Sequence, residues 1–483
     1  MDSLVQGSEN TVGQKPNEHC AVVGFYGTEN SFDWIYTSLR TLQHRGQEGS
    51  GIAIYDGRRV NVVKVMGLVS DGFKNASESG GIYSKLPGHV GVGHNRYSTA
   101  GAKDISGVGP FTVSSSVGEM ALSHNGEIVN QNELRDELKR KGITFQTSTD
   151  SEVLLMMFSR EISERGLKNG LRSAMTQLKG SYSCAFTINE KLYAVRDPLA
   201  IRPLMFGKVG DSFVVASESS VIDILGGEII RDVAPGEVIE FSQLGYKTIV
   251  SMPAIKEAHC MFEYVYFSRP DSVIDDVEVY QARINMGRRL AKECPVDADV
   301  VVPVPDSGRT QAMGFALESG IEYSEGLFKN RYSERTFIMP TQSLRNSAVA
   351  VKFNPIKSVV SGKKIVLVED SIVRGTTTRH VISILRKAGA AKIHLRIGSP
   401  MIVAPCYLGV DMKTRDQFIA IGKTFDDISR EIGADSVGYL SIEGLRESIG
   451  LGKKGLCIGC LTGEYPVKIL GEKYIQQTAL ESY

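Results

Sequence analysis

Several things are scarce in this 483-residue chain. No charge sign dominates: 55 Lys and Arg balance 55 Asp and Glu, so no net field draws it to nucleic acid or an anionic membrane. No apolar run reaches the roughly 18 residues of a membrane-spanning helix. The opening MDSLVQGSENTVGQKPNEH lacks the basic and apolar regions of a secretory signal. These absences predict a cytoplasmic protein with small-molecule partners. Seven cysteines are sparse and odd in number, which argues against a disulfide framework and leaves thiols for catalysis or metal binding. No GxxxxGK[ST] motif occurs, so a nucleoside-triphosphate P-loop is excluded, and there is no internal repeat. The length asks for two or three domains.

What is present is clearest at KKIVLVEDSIVRGTTTRHVISILRKAG. Residues 365–368 form an unbroken apolar run, the pattern of a strand buried in a parallel sheet. Glu369 and Asp370 follow at its carboxyl end, where open α/β sheets bind ligands. Arg374, Gly375, Thr376, Thr377 and Thr378 then supply a cation, a conformationally free residue, hydroxyls and the N–H groups of a starting helix. Val381, Ile382, Leu385 and Ala388 continue at helical spacing to Gly389. The turn reads as a phosphate cradle, or else as a threonine cap beside a solvated edge. A second strand and turn, residues 300–304 followed by Asp306, Ser307 and Gly308, leads into a helix with Met313 and Leu317, and is a second candidate anion site. The next segment carries Lys329, Arg331, Arg335 and Arg345 with few packing residues, as a functional loop or a solvated one.

The first half shows short alternating strands, among them CAVVGFYG, GIAIY, VNVVKV, HVGVGH, EMALSH, SYSCAFTI and KLYAV, with helices expected over 130–141, 150–164 and 167–178. Antiparallel sheets with helices outside are the implied arrangement. Residues 1–19 read as a disordered or removable leader. Cys20 alone would be a buried small hydrophobe. With the leader removed, its thiol and a free α-amine, of reference pKa about 7.7 to 8.0, would share one residue as nucleophile and base. Asn125 and Gly126, in an expected turn SHNGEIVN, could stabilise an oxyanion. Arg96 could clamp an α-carboxylate and Asp150 an α-ammonium, or they could be a surface arginine and a helix cap.

Cys20, QHRGQEGSGIA, GHNRYSTAG, LSHNGEIVN, TDSEVL and AVRDPLAIRPL resemble the successive motifs of the glutaminase domain of N-terminal-nucleophile amidotransferases. The resemblance implies Cys20 as nucleophile, Asn125 and Gly126 as the oxyanion hole, and Arg96 and Asp150 as glutamine clamps. Glu127 stands where that family commonly has Asn, and Ala200 where it has Gly. PVPDSG, the cationic segment and VLVEDSIVRGTTTR resemble the phosphoribosyltransferase domain of the glutamine phosphoribosylpyrophosphate amidotransferase family, with Glu369 in place of the more usual Asp. The fold this implies is α+β and α/β: a four-layer αββα glutaminase domain over 20–250, then a type I phosphoribosyltransferase domain over 251–483.

The family reading makes Asp306, Ser307, Gly308, Lys329, Arg331, Arg335, Glu369, Asp370 and Arg374 to Thr378 the phosphoribosyl and diphosphate site, with Ser307, Glu369 and Asp370 near Mg²⁺. CxxC at Cys457 and Cys460 could by itself be metal, redox or accident. Cys260 and Cys406 would complete four thiolates only if the fold gathers them. Resemblance implies that they hold a [4Fe–4S] cluster, with zinc as the rival, while Cys184 and Cys294 are structural. The implied reaction transfers glutamine ammonia to 5-phosphoribosyl 1-diphosphate, opening purine synthesis, in a homotetramer with purine nucleotides as feedback ligands. Rival readings are an amidotransferase with another sugar-phosphate acceptor and a regulatory protein that only binds phosphoribosylpyrophosphate.

Overall fold

A computed structural model describes residues 20–27, 31–78, 86–97, 104–253, 256–330, 353–412, 415, 418–452 and 454–469. Arg331, Arg335, Arg345 and the expected leader lie outside them. The described residues form two compact units that cut across a division at 250. One draws on Glu18–Val279, Pro405–Lys413 and Leu451–Tyr483, the other on Tyr280–Ala404 and Thr414–Gly450.

The first unit is layered around two antiparallel sheets. The seven-stranded sheet runs Glu228–Asp232, Met205–Val209, Ser212–Ala216, Ala21–Tyr26, Val90–Arg96, Gly49–Tyr55, Val60–Met66. The six-stranded sheet runs Gly245–Ser251, Glu237–Ser242, Lys191–Arg196, Gly180–Ile188, Gly118–Ile128, Phe111–Ser115. Val22, Val92 and Phe206 of one sheet share a core with Ala121, Ala185 and Phe241 of the other. The far face of the six-stranded sheet packs through Met120, Leu122 and Phe186 on the helices Gln131–Arg140, Asp150–Arg165 and Leu167–Gln177. Helix Ser31–Thr41 covers the other sheet. Every residue of Ala21–Tyr26, Val90–Arg96 and Gly180–Ile188 is buried, because each strand has a layer on both faces. The expected αββα order is present. Three of the strands that the pattern missed, Phe111–Ser115, Glu228–Asp232 and Gly245–Ser251, are sheet edges with a weak period.

The second unit holds a four-stranded parallel sheet, in the order Val300–Pro303, Lys364–Glu369, Lys392–Ile397, Ser436–Tyr439. Residues 365–368 are fully buried, as an apolar run in a covered parallel sheet should be. Helix Thr376–Lys387 buries Val381, Ile382 and Leu385 against it, and Ala388 closes the helix before Gly389 at φ +98°. Helix Arg309–Ser319 differs from expectation: Met313 and Leu317 are exposed, while Ala312, Phe315 and Ala316 are buried. Close approach is the reason. A Cβ on Gly314 would lie 2.1 Å from the Ile284 carbonyl, and one on Gly287 1.9 Å from that of Gln311, so small residues make this helix contact.

Candidate active sites

Cys20 precedes the strand Ala21–Tyr26, whose register sets Ala21 opposite Asn95. That register brings Cys20 to the end of the strand carrying Arg96. Its Sγ lies 3.8 Å from the Tyr97 carbonyl, and the charges of both Arg96 and Asp150 act on the thiol. Burial, the largest influence, pushes the thiol up to about 11, so at neutral pH it keeps its proton and needs a base to become a nucleophile.

Arg96 is buried and donates to the Asp104 carbonyl at 3.1 Å, so it is not a surface arginine. Asp150 begins helix Asp150–Arg165, but Thr149 is its cap; Asp150 Oδ2 instead accepts the Ile128 N–H at 3.0 Å. Two residues the motifs did not single out hold the loop before it. Glu152 accepts the N–H groups of Gln146 and Thr147 at 2.7 Å, and Arg135 donates to the carbonyls of Thr147 and Thr149 at 2.7 Å. The Thr-x-x-Glu spacing of Thr149 and Glu152 is the one signal that could have found Glu152.

Asn125 and Gly126 lie inside the strand Gly118–Ile128, not in a turn. Asn125 is fully buried, yet among the described residues neither atom of its side-chain amide has a hydrogen-bond partner. Burying an amide unpaired costs roughly 1 to 3 kcal/mol, a cost that a group bound at this position would relieve. Gly126 sits at φ +147°, and a Cβ there would fall 2.1 Å from the Ser181 carbonyl, so only glycine fits. His94 ties this strand to the other sheet, its Nε2 donating to the His124 carbonyl at 3.1 Å.

In the parallel-sheet unit, Pro303 pairs with Val368, which sets the ends of the two strands side by side. Val304 donates its N–H to the Val368 carbonyl at 2.8 Å, and Gly308 fits so closely that a Cβ would meet that same carbonyl at 2.6 Å. The turn with Asp306, Ser307 and Gly308 therefore adjoins Glu369 and Asp370, which are buried at the strand end. Asp306 accepts from Arg309 and from Lys329 Nζ, each at 2.7 Å. Lys329 reaches it from the small antiparallel pairing of Leu327–Lys329 with Phe353–Pro355. Thr376 and Thr377 open helix Thr376–Lys387 behind Gly375 and Arg374, with Gly375 as its cap residue at φ +72° and no side-chain cap. The threonine-cap reading is thereby set aside. Thr378 Oγ1 donates to Glu369 Oε2 at 2.8 Å, and Ser371 Oγ to Asp370 Oδ1 at 2.6 Å.

The four cysteines converge within the first unit. His259–Cys260 pairs in parallel with Leu456–Cys457, placing Cys260 opposite Cys457. Burial pushes Cys406 up to about 11 and Cys457 up to about 12, it raises Cys460 well above the ordinary thiol range, and the charge of neighbours in the set adds to each shift. Arg202, fully buried, acts on Cys260 and Cys406 with its charge, and among the described residues its Nε has no partner. Among the described residues, no group of three or more His, Cys, Asp or Glu could hold one metal ion. No helix among them is long and apolar enough to cross a membrane. Cys184 is buried within its strand, and Cys294 Sγ lies 3.7 Å from the Tyr439 carbonyl.

A cysteine-headed antiparallel sandwich in one unit and a parallel sheet with two candidate anion turns in the other fit a glutamine amidotransferase coupled to a phosphoribosyltransferase. Residues 94–223 match a glutamine amidotransferase domain, and residues 274–397 a phosphoribosyl transferase domain. The chain is 47% identical over 474 residues to the amidophosphoribosyltransferase of Methanocaldococcus jannaschii, covering 94% of this chain and 99% of that protein. It is 42% identical to that of Bacillus subtilis, covering 94% and 95%. The solved Bacillus subtilis glutamine phosphoribosylpyrophosphate amidotransferase, in complex with ADP and GMP, superposes with a TM-score of 0.86 at 41% identity, over 94% of this chain and 98% of that one. A structure described as the allosteric regulatory enzyme of purine biosynthesis gives 0.87 at 41%, over 94% and 97%. The chain belongs to the amidophosphoribosyltransferase family, enzymes of purine synthesis that are at once glutamine amidotransferases and phosphoribosyltransferases.

Proposed function

We propose that Cys20 hydrolyses glutamine and that the ammonia replaces diphosphate on 5-phosphoribosyl 1-diphosphate. The observation that carries the first half is Asn125, buried with its amide unpaired in the unit that holds Cys20, Arg96 and Asp150. Arg96 takes the glutamine α-carboxylate and Asp150 its α-ammonium. With residues 1–19 removed, the α-amine of Cys20 accepts the thiol proton as Sγ attacks the side-chain amide carbon. Asn125 and the Gly126 N–H meet the oxyanion. The C–N bond breaks, the amine returns its proton to the departing nitrogen, and ammonia leaves a thioester that water converts to glutamate. At the second site the ammonia nitrogen bonds to ribose C1, and the C1–O bond breaks with its electron pair on diphosphate, giving 5-phosphoribosylamine.

Glu369 and Asp370 hold the ribose hydroxyls, and residues 374–378 take the 5-phosphate. Asp306, Ser307, Gly308 and Lys329 face the diphosphate, and the family resemblance assigns Arg331 and Arg335 to the same substrate. Ser307, Glu369 and Asp370 offer the oxygen donors that Mg²⁺ prefers, and the ion would offset charge on the leaving diphosphate. Cys260, Cys406, Cys457 and Cys460 suit a [4Fe–4S] cluster better than zinc. Cys406, Cys457 and Cys260 act on Cys460 with their charge, Arg202 sets a buried cation beside Cys260 and Cys406, and four thiolates are the ligand set such a cluster takes. The cluster would cross-link three distant stretches of the chain. Purine nucleotides as feedback ligands, a homotetramer and a cytoplasmic location complete the reading on family membership alone.

The test uses glutamine labelled at its amide with nitrogen-15. Label should appear in phosphoribosylamine with stoichiometric diphosphate, and Cys20→Ser should abolish that transfer while synthesis from added ammonia persists. Absence of label from the product would sink the reading. Intact mass should show active protein beginning at Cys20, and retention of His19 in active protein would end the amine-as-base role.

A further inference from the structure

The strand carrying Asn125 and Gly126 is held by more than its own sheet. Glu127 donates its N–H to Ser181 Oγ at 3.1 Å. Ser181 Oγ passes its single proton to the Leu408 carbonyl at 2.8 Å, and the Arg202 guanidinium donates to that same carbonyl at 3.0 Å. Ser181 and Arg202 are fully buried. Arg202 is itself pinned: its carbonyl accepts from Ser183 Oγ at 2.9 Å and Arg196 Nε at 2.8 Å, and its guanidinium meets Glu263 at 3.3 Å. Next to Leu408, Gly409 at φ +102° lies so close that a Cβ would stand 3.0 Å from the Gly126 carbonyl carbon.

We infer that Ser181, Arg202 and the Leu408 carbonyl form a positioning relay for glutamine hydrolysis, setting where Asn125 and the Gly126 N–H stand when the oxyanion forms. This rests on the oxyanion role proposed above. Preset donors accelerate a reaction only if they are held within about 0.5 Å of the productive geometry. Gly126, without a side chain and at positive φ, brings no packing of its own to hold it there. Its neighbours must do so. The Ser181 hydroxyl can serve both partners in one orientation only, proton toward Leu408 and lone pair toward Glu127. Arg202 keeps the Leu408 carbonyl in place to receive that proton. Removing the hydroxyl takes the 3.1 Å acceptor from the Glu127 N–H and loosens the strand's tie to the Leu408 carbonyl.

The relay touches neither the glutamine clamps nor the phosphoribosyl site, so its loss has a distinct signature. In the full chain, Ser181→Ala should lower kcat for glutamine hydrolysis by about ten- to hundredfold, the scale of a small misplacement of catalytic groups. KM for glutamine and ammonia-dependent synthesis should not change. Ser181→Thr, which keeps the hydroxyl, should recover most of the rate. An unchanged kcat in Ser181→Ala, a rise in KM alone, or an equal fall in ammonia-dependent synthesis would overturn the inference. Asn125→Ala is the control. If it too leaves kcat intact, the oxyanion reading fails; if it alone loses activity, only the relay fails.

Discussion

Single residues carry the chemistry, and two of them lend themselves to direct measurement. Ala200, where related glutaminases commonly have glycine, sits at φ +52°, a conformation that costs an L residue roughly 1 to 2 kcal/mol. It is held there because its N–H donates to the Asp197 carbonyl at 3.0 Å and its carbonyl accepts from Arg196 at 3.1 Å. Ala200→Gly should therefore raise stability by up to about 1 kcal/mol with activity unchanged, read as a higher melting temperature. His94 is the second. Burial lowers its imidazole from 6.5 to about 3, with Arg96 and Lys64 adding repulsion. As pH falls below 6.5 the unfolded chain takes a proton that the folded one refuses, so His94 costs stability progressively down to about pH 3. In protein labelled with carbon-13 at histidine Cε1, the resonance missing from His94→Gln should not titrate above about pH 4. One that titrates near 6.5 would refute the assignment of a neutral, donating Nε2.

At the scale of elements, strands and helices followed hydrophobic period wherever one face, or both, had to be buried. The exceptions are instructive. Met313 and Leu317 looked like a packing face, but glycines at 287 and 314 let two backbones meet and turned that face outward. Asn125 and Gly126 looked like a turn, yet pairing with Gly180–Ile188 makes them strand. In the turn before helix Thr376–Lys387, Thr378, one of the hydroxyls that suggested helix capping, instead donates to Glu369. Thr378→Val would strip a buried carboxylate of its 2.8 Å donor, a loss of roughly 1 to 3 kcal/mol. The expected outcome is a fall of about tenfold or more in kcat/KM for phosphoribosylpyrophosphate, with glutamine hydrolysis intact. Equal kcat/KM in wild type and variant would deny Glu369 its role at the ribose.

At the scale of the whole molecule, the cysteines show how sequence distance and spatial order part company. Segments around 260, 406 and 457–460 belong to the glutaminase unit although the phosphoribosyl elements lie between them in the chain. Protein purified without oxygen should carry about four iron and four acid-labile sulfide per chain, and Cys457→Ser should lower both iron content and melting temperature. One zinc and no sulfide would reverse that assignment.

Much was legible in residues alone: the two halves, the αββα order, and the nucleophile, clamps, oxyanion pair and acid pair as candidates. These are local signals, since strand period, acids at a strand end and glycine in a tight approach are written in neighbouring residues. Tertiary structure alone decided that four scattered thiols come near enough to act on one another, that Asp306 pairs with Lys329, and that the Leu408 carbonyl reaches the strand of Asn125 and Gly126 through Ser181. The physical reason is that a main-chain carbonyl looks the same at every position. Its place beside Ser181 comes entirely from the folding that joins residues 227 positions apart in the chain.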